Sequence, residues 1–222
     1  MKSIYILFVF VSSLFATDIK VKYVAEVIPK NMSVKTKKER FYHLLVPVVE
    51  KVHTDLMREY EGVVEDIKEQ KNQHKISQLK IFYKAKTDSE LLAALKPHPK
   101  SIVLAQAAIE SSWGTSRFFK EAYNIFGMWS VNPNEPRIAA GEKRGGVRTI
   151  WLKKFDSIEE SVRAYYKLMA KGKAFKEFRT LRVATDDPHE LVKKLDKYSE
   201  IGEEYTKILS EMIRYNKLER YN

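Results

Sequence analysis

The sequence predicts a mainly α-helical α+β domain with one small β-hairpin, and three observations carry that prediction. Apolar residues recur every three or four positions along most of the chain, which is the period of one face of an α-helix. The run Val147–Phe155 has the β-branched and aromatic content of a strand, and Gly145-Gly146 before it is a hairpin turn signal. Apart from Glu110, the stretch Ser101–Gly114 consists almost entirely of apolar or small residues, which indicates a helix buried on most sides.

Composition limits the classes of function. The chain has 222 residues with 44% hydrophobic content, enough for one domain of good size. It has no cysteine, which excludes disulfides, thiolate metal sites and a cysteine nucleophile. The formal charge of +11 suits an anionic partner such as nucleic acid, acidic lipid or the carboxylate-bearing cell wall. The basic residues are scattered and no nucleic-acid motif is present, so we expect no nucleic-acid partner.

The opening segment, residues 1–16, has the pattern of an export signal. Lys2 precedes an apolar run from Ile4 to Phe15, and Ala16 is a small residue of the kind at which a signal peptidase can cut. The run is too short to span a bilayer comfortably, which favours export to the periplasm over anchoring. Leu14 departs from the small residue preferred before the cut. Without cleavage, the segment would tether the domain to the outer face of the inner membrane.

Residues 17–86 are predicted to form a lead-in and a helical extension. Apolar positions three or four apart between Thr36 and Ile67 indicate one long amphipathic helix. Pro47 within it predicts a kink or a break near Leu45, because proline lacks the amide hydrogen that a helix interior requires.

The main domain is predicted to span residues 87–222, with further helices along it. Thr87 with Glu90, and Ser157 with Glu160, form capping boxes that each start a helix. Other helices are predicted over Ala174–Arg182, after Asp187-Pro188 and after Gly202.

The central helix places one carboxylate in an apolar environment. Pro99 suits the first helical position and Gly114 can end a helix, so we predict a helix from about Pro99 to Trp113. Glu110 lies near its carboxyl end, where the helix dipole disfavours an anion. Burial, the dipole and the indole of Trp113 are each expected to raise the pKa of Glu110, as a proton donor near neutral pH requires. The alternative is a helix-end glutamate that pairs with a surface lysine or arginine.

The segment Tyr123–Trp129 is rich in aromatic residues, which stack on the apolar faces of sugar rings. Amide and hydroxyl groups nearby can bind sugar hydroxyls and N-acetyl groups. The predicted substrate-binding residues are Trp113, Tyr123, Asn124, Phe126, Trp129 and Tyr165. For Phe126 and Tyr165, the alternative is a place in the core. Ser130–Arg144, with two prolines, a glycine and four asparagine or glutamate residues, is predicted to be a loop.

The motifs AQAAIESSWGTSRF and YNIFGMW resemble the signature of the Bax/FlgJ-type glucosaminidases, glycoside hydrolase family 73, which cut bacterial cell-wall glycan. The resemblance is to the Bax-like branch. Val34–Val49, Phe155–Met169 and Tyr198–Tyr205 also resemble that branch in order and spacing, so the similarity runs from about Val34 to the C-terminus.

The resemblance implies a lysozyme-like fold with a cleft between two lobes, the smaller being the hairpin. It implies cleavage of the β-1,4 bond after N-acetylglucosamine in peptidoglycan, with Glu110 as general acid. It also implies a second acidic residue in the hairpin lobe. We prefer Glu142, with Glu135 as the alternate, although Trp151 stands where the family pattern predicts an acidic residue on the second strand.

Two other functions remain open at this stage. A lytic transglycosylase would use one glutamic acid on the same fold, although the motifs here, ESSW and NIFG, differ from those such enzymes typically resemble. An inactive wall-binding or membrane-surface protein would use the basic surface and the aromatic segment alone. We expect no cofactor and no metal site, because the histidines show no paired spacing. The histidines predicted to be surface or cap residues are His43, His53, His74, His98 and His189.

Overall fold

The computed structural model of the chain describes the backbone of residues 23–144 and 148–222 and the side chains of 23–141 and 149–222. The predicted export segment, residues 1–16, and the Gly145-Gly146 turn lie outside the described residues. The elements are α1 Val34–Lys68, α2 Gln73–Tyr83, α3 Asp88–Leu95, α4 Lys100–Glu110, α5 Arg117–Ala122, β1 Arg137–Arg144, β2 Arg148–Lys153, α6 Ile158–Lys171, α7 Lys176–Ala184, α8 Pro188–Val192 and α9 Glu203–Tyr215. Short 3-10 turns cover Lys173–Phe175, Asp196–Tyr198 and Leu218–Tyr221. The mainly helical α+β class with one antiparallel hairpin is therefore confirmed.

Helix α1 is the longest element and passes through Pro47 without interruption. The side chain of Ser33 caps its first turn by accepting a hydrogen bond from the Thr36 amide at 3.1 Å. The predicted break near Leu45 is wrong. One face of α1 is fully buried against α4 and α6, and this packing offsets the backbone hydrogen bond that proline cannot donate. The buried apolar residues of that face are Phe41, Leu45, Val49 and Val52.

The end of α1 packs on α2 and α3 through a small second core, formed by Val63, Ile76, Leu91 and Leu95. Both predicted capping boxes are confirmed. The Glu90 amide donates to Thr87 Oγ1 and the Glu160 amide donates to Ser157 Oγ, each at 3.1 Å. Helix α3 therefore starts at a defined residue and turns the chain toward the central helix.

Helix α4 lies at the centre of the domain, with every residue from Ser101 to Ala108 buried. It contacts α1, α8, α9 and the last 3-10 turn. The prediction that it extends to Trp113 is wrong, because α4 ends at Glu110. The next residues leave the helical conformation, and Ser112, Trp113 and Gly114 have φ values of 51°, 61° and 71°. Glu110 is thus the last residue of the buried helix.

The hairpin pairs β1 with β2 in an antiparallel register, with Ile138 opposite Leu152 and Lys143 opposite Thr149. The prediction of a loop over Ser130–Arg144 is wrong for its second half, which is β1. Alanine, glycine and lysine are depleted in strands, so local propensity missed a strand that its partner stabilises. A register shift between Ala139 and Lys143 indicates a bulge. Within the described residues, no helix is long and apolar enough to cross a lipid bilayer.

Candidate active site

The carboxyl group of Glu110 is half-buried at the carboxyl end of α4. The hydroxyl of Tyr205, on α9, donates a hydrogen bond of 2.8 Å to Glu110 Oε1. Burial raises the pKa of Glu110 above its ordinary value, and the hydrogen bond from Tyr205 lowers it by less. The group therefore keeps its proton to a higher pH than an exposed glutamate does, as a general acid requires.

Tyr205 is itself held by a buried neighbour, Gln106, and a partly buried one, Tyr198. Gln106 lies one turn before Glu110 on α4, is fully buried, and donates from Nε2 to the Tyr205 hydroxyl at 3.1 Å. The ring of Tyr198 stacks on that of Tyr205, with centroids 5.5 Å apart and planes 9° from parallel. Burial raises the pKa of both tyrosines, and the negative charge of Glu110 raises it further. Both hydroxyls are therefore protonated, and Tyr205 is the donor toward Glu110.

The turn that follows Glu110 is fixed by Ser111 and Arg40. Ser111 Oγ donates to the Ala107 carbonyl at 2.5 Å and accepts from the Gly114 amide at 2.8 Å. Arg40, fully buried on α1, donates to the Gly114 carbonyl at 2.7 Å. The same guanidinium donates to the Ala25 carbonyl at 2.8 Å. Arg40 thus ties the segment before α1 to the turn beside the carboxyl group.

The structure places Trp113 and Tyr123 at partly buried positions. The Trp113 ring packs edge-on against Phe41 and Tyr42, with centroids 5.2 and 5.9 Å away. Tyr123 ends α5 in a left-handed conformation, and its hydroxyl donates to Glu26. Both side chains keep some accessible surface, so their predicted role in substrate binding stays a prediction.

Three other predicted substrate-binding residues are buried. Tyr165 is 0% exposed, Asn124 is 1% exposed and Phe126 is 3% exposed. Phe126 stacks on Tyr165 with centroids 4.1 Å apart. Buried groups offer no surface to a glycan, so the contact of these three side chains with substrate stays a prediction that this structure does not support. Their neighbours are core residues and backbone, and they support the site from within.

Trp129 is the most exposed of the predicted aromatic residues, at 56%. Its backbone pairs with Leu152 of β2, and the flanking Met128 carbonyl accepts from the Lys153 amide at 2.9 Å. The aromatic segment is therefore joined to strand β2 of the hairpin by backbone hydrogen bonds. The exposed indole lies on that edge of the hairpin, and its stacking on a sugar ring remains a prediction.

The two predicted second carboxylates have different surroundings. Glu135 forms an ion pair with Lys153, whose Nζ lies 2.6 Å from Oε2, and this hydrogen bond lowers the pKa of Glu135. The negative charge of Glu135 is therefore already balanced by Lys153. Glu142 lies in β1, beside the register shift of the hairpin, and its side chain is outside the described part.

Gln106 and Tyr205 are site residues that sequence reasoning did not select. Gln106 carried a usable signal, because it is an amide in an apolar run and lies four residues before Glu110 on one helix face. Tyr205 ends the stretch Tyr198–Tyr205 that resembles the family, but no local pattern indicates that its hydroxyl meets Glu110.

The described residues hold no group of three histidine, aspartate or glutamate side chains that could bind a metal ion. His98 is 0% exposed, so its prediction as a surface or cap residue is wrong. Burial, and then the charge of Arg182, hold the pKa of His98 well below its usual value. His98 is therefore neutral inside the domain.

Comparison with known proteins gives a family model and several relatives. The model described as Glucosaminidase (mannosyl-glycoprotein endo-beta-N-acetylglucosaminidase) matches residues 85–218. Protein bax of Escherichia coli K12 is 31% identical over 124 residues, which cover 53% of this chain and 43% of that protein, so the match spans less than half of the relative.

Solved structures show a related fold. The catalytic domain of the autolysin Auto from Listeria monocytogenes matches with a TM-score of 0.53 at 18% identity, covering 86% of this chain and 90% of that one. A peptidoglycan hydrolase from Sphingomonas sp. A1 matches with a TM-score of 0.46 at 23% identity, covering 64% of this chain and 92% of that one. The first likeness extends over nearly the whole of both chains.

Proposed function

The chain belongs to the Bax/FlgJ-type glucosaminidases of glycoside hydrolase family 73, and from this premise we propose that it hydrolyses the β-1,4 bond after N-acetylglucosamine in peptidoglycan. Glu110 is the general acid. The observation that carries this proposal is the half-buried Glu110 carboxyl at the end of α4, with its pKa raised by burial.

In the proposed reaction, Glu110 donates its proton to the glycosidic oxygen. The bond between that oxygen and the anomeric carbon breaks, its electron pair stays on the oxygen, and positive charge develops on the sugar. A water molecule then adds to the anomeric carbon, and the proton it loses restores the Glu110 acid. Glu142 is the proposed second carboxylate that stabilises the developing charge, because Glu135 is already paired with Lys153.

Peptidoglycan is the proposed polymer on the ground of charge. The chain carries a formal +11, and the wall carries carboxylates on its stem peptides. The family description also names a mannosyl-glycoprotein substrate, whose bond after N-acetylglucosamine has the same chemistry. Peptidoglycan lies outside the cytoplasmic membrane, so the proposal requires the export to the periplasm that the opening segment predicts.

The test is digestion of purified peptidoglycan, followed by borohydride reduction and mass spectrometry of the new glycan ends. We expect reduced N-acetylglucosamine ends, and a loss of at least about 100-fold in their rate of release in Glu110→Gln. Glu142→Gln is expected to lose activity, and Glu135→Gln, with the same change of charge, is its control. A mannosyl-glycoprotein tests the second substrate class.

Other products would contradict the proposal. Anhydro-muramic ends would indicate a lytic transglycosylase. A folded protein that binds wall sacs in a salt-sensitive way but releases no ends would be a binding protein. Full activity in Glu110→Gln would exclude Glu110 as the acid.

A further inference from the structure

A continuous row of buried side chains connects Glu110 to the opposite side of the core. Beyond Tyr205 and Gln106, the hydroxyl of Tyr165 on α6 donates to Gln106 Oε1. His98 Nε2 lies 2.9 Å from that hydroxyl, and Arg182 Nη1 on α7 lies 3.4 Å from His98 Nδ1. The linking residues His98, Tyr165 and Gln106 are 0% exposed, and Arg182 is 1% exposed.

The direction of every hydrogen bond in this row follows from Arg182. A guanidinium has only donors, so His98 Nδ1 must accept. The neutral imidazole carries a single hydrogen, which is therefore on Nε2 and is donated to Tyr165. The one hydrogen of the Tyr165 hydroxyl then goes to Gln106 Oε1. This leaves Gln106 Nε2 to donate to Tyr205.

At the other end of the row, the Tyr205 hydroxyl donates to Glu110 Oε1 at 2.8 Å. A protonated carboxyl accepts best at its carbonyl oxygen, which carries no hydrogen. A donor at Oε1 therefore favours the neutral acid with its proton on Oε2. If every hydrogen bond in the row were reversed, the side-chain amide of Gln106 would be flipped, with its oxygen facing Tyr205. Tyr205 would then accept a hydrogen bond from Glu110. Glu110 would donate its proton to Tyr205 instead of to a substrate.

We infer that Arg182 is a positioning residue for the reaction, which acts through His98, Tyr165, Gln106 and Tyr205 to keep the acid proton of Glu110 on Oε2. This inference rests on the proposed role of Glu110 as the acid. Arg182 can set the direction of these hydrogen bonds because its guanidinium is itself held in place. Its Nη2 donates to the Ala93 carbonyl at 2.6 Å, and its own carbonyl accepts from Lys96 at 2.9 Å.

The titratable groups at both ends are compatible with this arrangement. Glu110 is faced by Tyr205 from α9 and by Tyr198 from the 3-10 turn before it. His98 is faced by Arg182 from α7, by His53 from α1, and by Tyr165 and Tyr166 from α6. Burial lowers the pKa of Arg182 to about 10, which leaves it protonated at neutral pH. It therefore remains a pure donor across the range in which the enzyme is assayed.

The decisive variant is Tyr165→Phe, which keeps the ring and removes one link. Gln106 is then free to turn, Tyr205 can accept from Glu110, and the protonated acid is favoured. We expect the alkaline limb of the pH dependence of kcat/KM to move up by about one pH unit, and kcat to fall. Tyr166→Phe is the matched control. It is the adjacent buried tyrosine, but its hydroxyl contacts the His98 carbonyl at 3.4 Å and is outside the row.

Arg182 is tested in the same assay, after circular dichroism has shown that each variant is folded. Arg182→Met should move the alkaline limb as Tyr165→Phe does, and Arg182→Lys, which keeps a donor, should restore it. The double variant Tyr165→Phe with Arg182→Met should move the limb no further than Tyr165→Phe alone, because both act through one row.

If Arg182→Met is unfolded, the comparison of Tyr165→Phe with Tyr166→Phe still tests whether the row of hydrogen bonds controls the proton of Glu110. An alkaline limb in the same place for both would overturn the inference. Equal movement in both would also overturn it, since a general change in packing would then be the cause. The proposed function is judged separately, from the glycan ends that the wild type releases and from the activity of Glu110→Gln.

Discussion

The side-chain amide of Asn124 makes three hydrogen bonds at a position that is 1% exposed. Its Nδ2 donates to the carbonyls of Met128 and Lys153, both at 2.9 Å, and its Oδ1 accepts from the Met128 amide at 2.8 Å. One residue therefore closes the aromatic segment and joins it to β2. The sequence marked Asn124 as a sugar ligand because its neighbours are aromatic, and only the folded chain shows that its amide is used internally.

Replacing Asn124 with alanine is expected to lower the free energy of unfolding by about 2 kcal/mol or more, because buried backbone groups lose their partners. Urea unfolding followed by circular dichroism measures this change. The control is Asn134→Ala, an exposed asparagine of the same loop region, which should change stability by less than about 0.5 kcal/mol. Equal stability of the two variants would mean that water replaces the Asn124 amide.

Glu110 was recognisable from sequence for a reason that does not apply to Tyr205. A carboxylate in an apolar helix is costly unless it has a use, so composition alone drew attention to it. The hydroxyl of Tyr205 reaches Glu110 across 95 positions of the chain. A tyrosine on an apolar helix face looks the same from sequence whether its hydroxyl meets solvent, backbone or a catalytic group.

At the scale of elements, the end of α4 determines where the Glu110 carboxyl group is placed. Gly114 has a φ of +71°, in the region that favours glycine. A Cβ added there would lie 3.3 Å from Phe119 Cε1 and 3.5 Å from Arg40 Nη1. The turn from α4 into α5 thus favours glycine for its conformation, and an added Cβ would be tight against Phe119. The sequence predicted Gly114 as a helix terminator, but placed the end of α4 three residues too late.

We expect Gly114→Ala to destabilise the protein by about 1 to 3 kcal/mol through backbone strain. Gly62→Ala is expected to change the stability of the protein in the opposite direction. Gly62 lies inside α1, and no atom lies within 4 Å of an added Cβ, so alanine should stabilise by about 0.5 to 1 kcal/mol. Chemical unfolding of both variants checks the sign. A stabilising Gly114→Ala would show that the turn relaxes without cost.

At the scale of the whole molecule, two histidines make stability depend on pH. Burial, with the charge of Lys100, lowers the pKa of His53 to about 4, and the pKa of buried His98 is lower than usual as well. In the unfolded chain both titrate near 6.5. Between these values the unfolded state binds more protons than the folded state, so stability is complete above about pH 6.5 and falls as the pH drops toward 4.

The thermal unfolding midpoint is therefore expected to fall between about pH 7 and about pH 5, and to fall less in His53→Gln. His74→Gln, on the exposed side of α2, is the control and should fall as far as the wild type. Differential scanning fluorimetry at several pH values gives the comparison. An identical fall in all three proteins would mean that His53 becomes protonated without loss of structure.

The sequence by itself determined the helical class, the long first helix, both capping boxes and the apolar helix that carries Glu110. These depend on periodicity, on cap residues three positions apart and on composition, all of which are local. The tertiary structure decided what Tyr165, His98, Gln106 and Arg182 do, and that residues 137–144 form a strand. Hydrogen bonds between α4, α6, α7 and α9 join residues far apart in the chain, and no local pattern encodes which buried donor meets which acceptor.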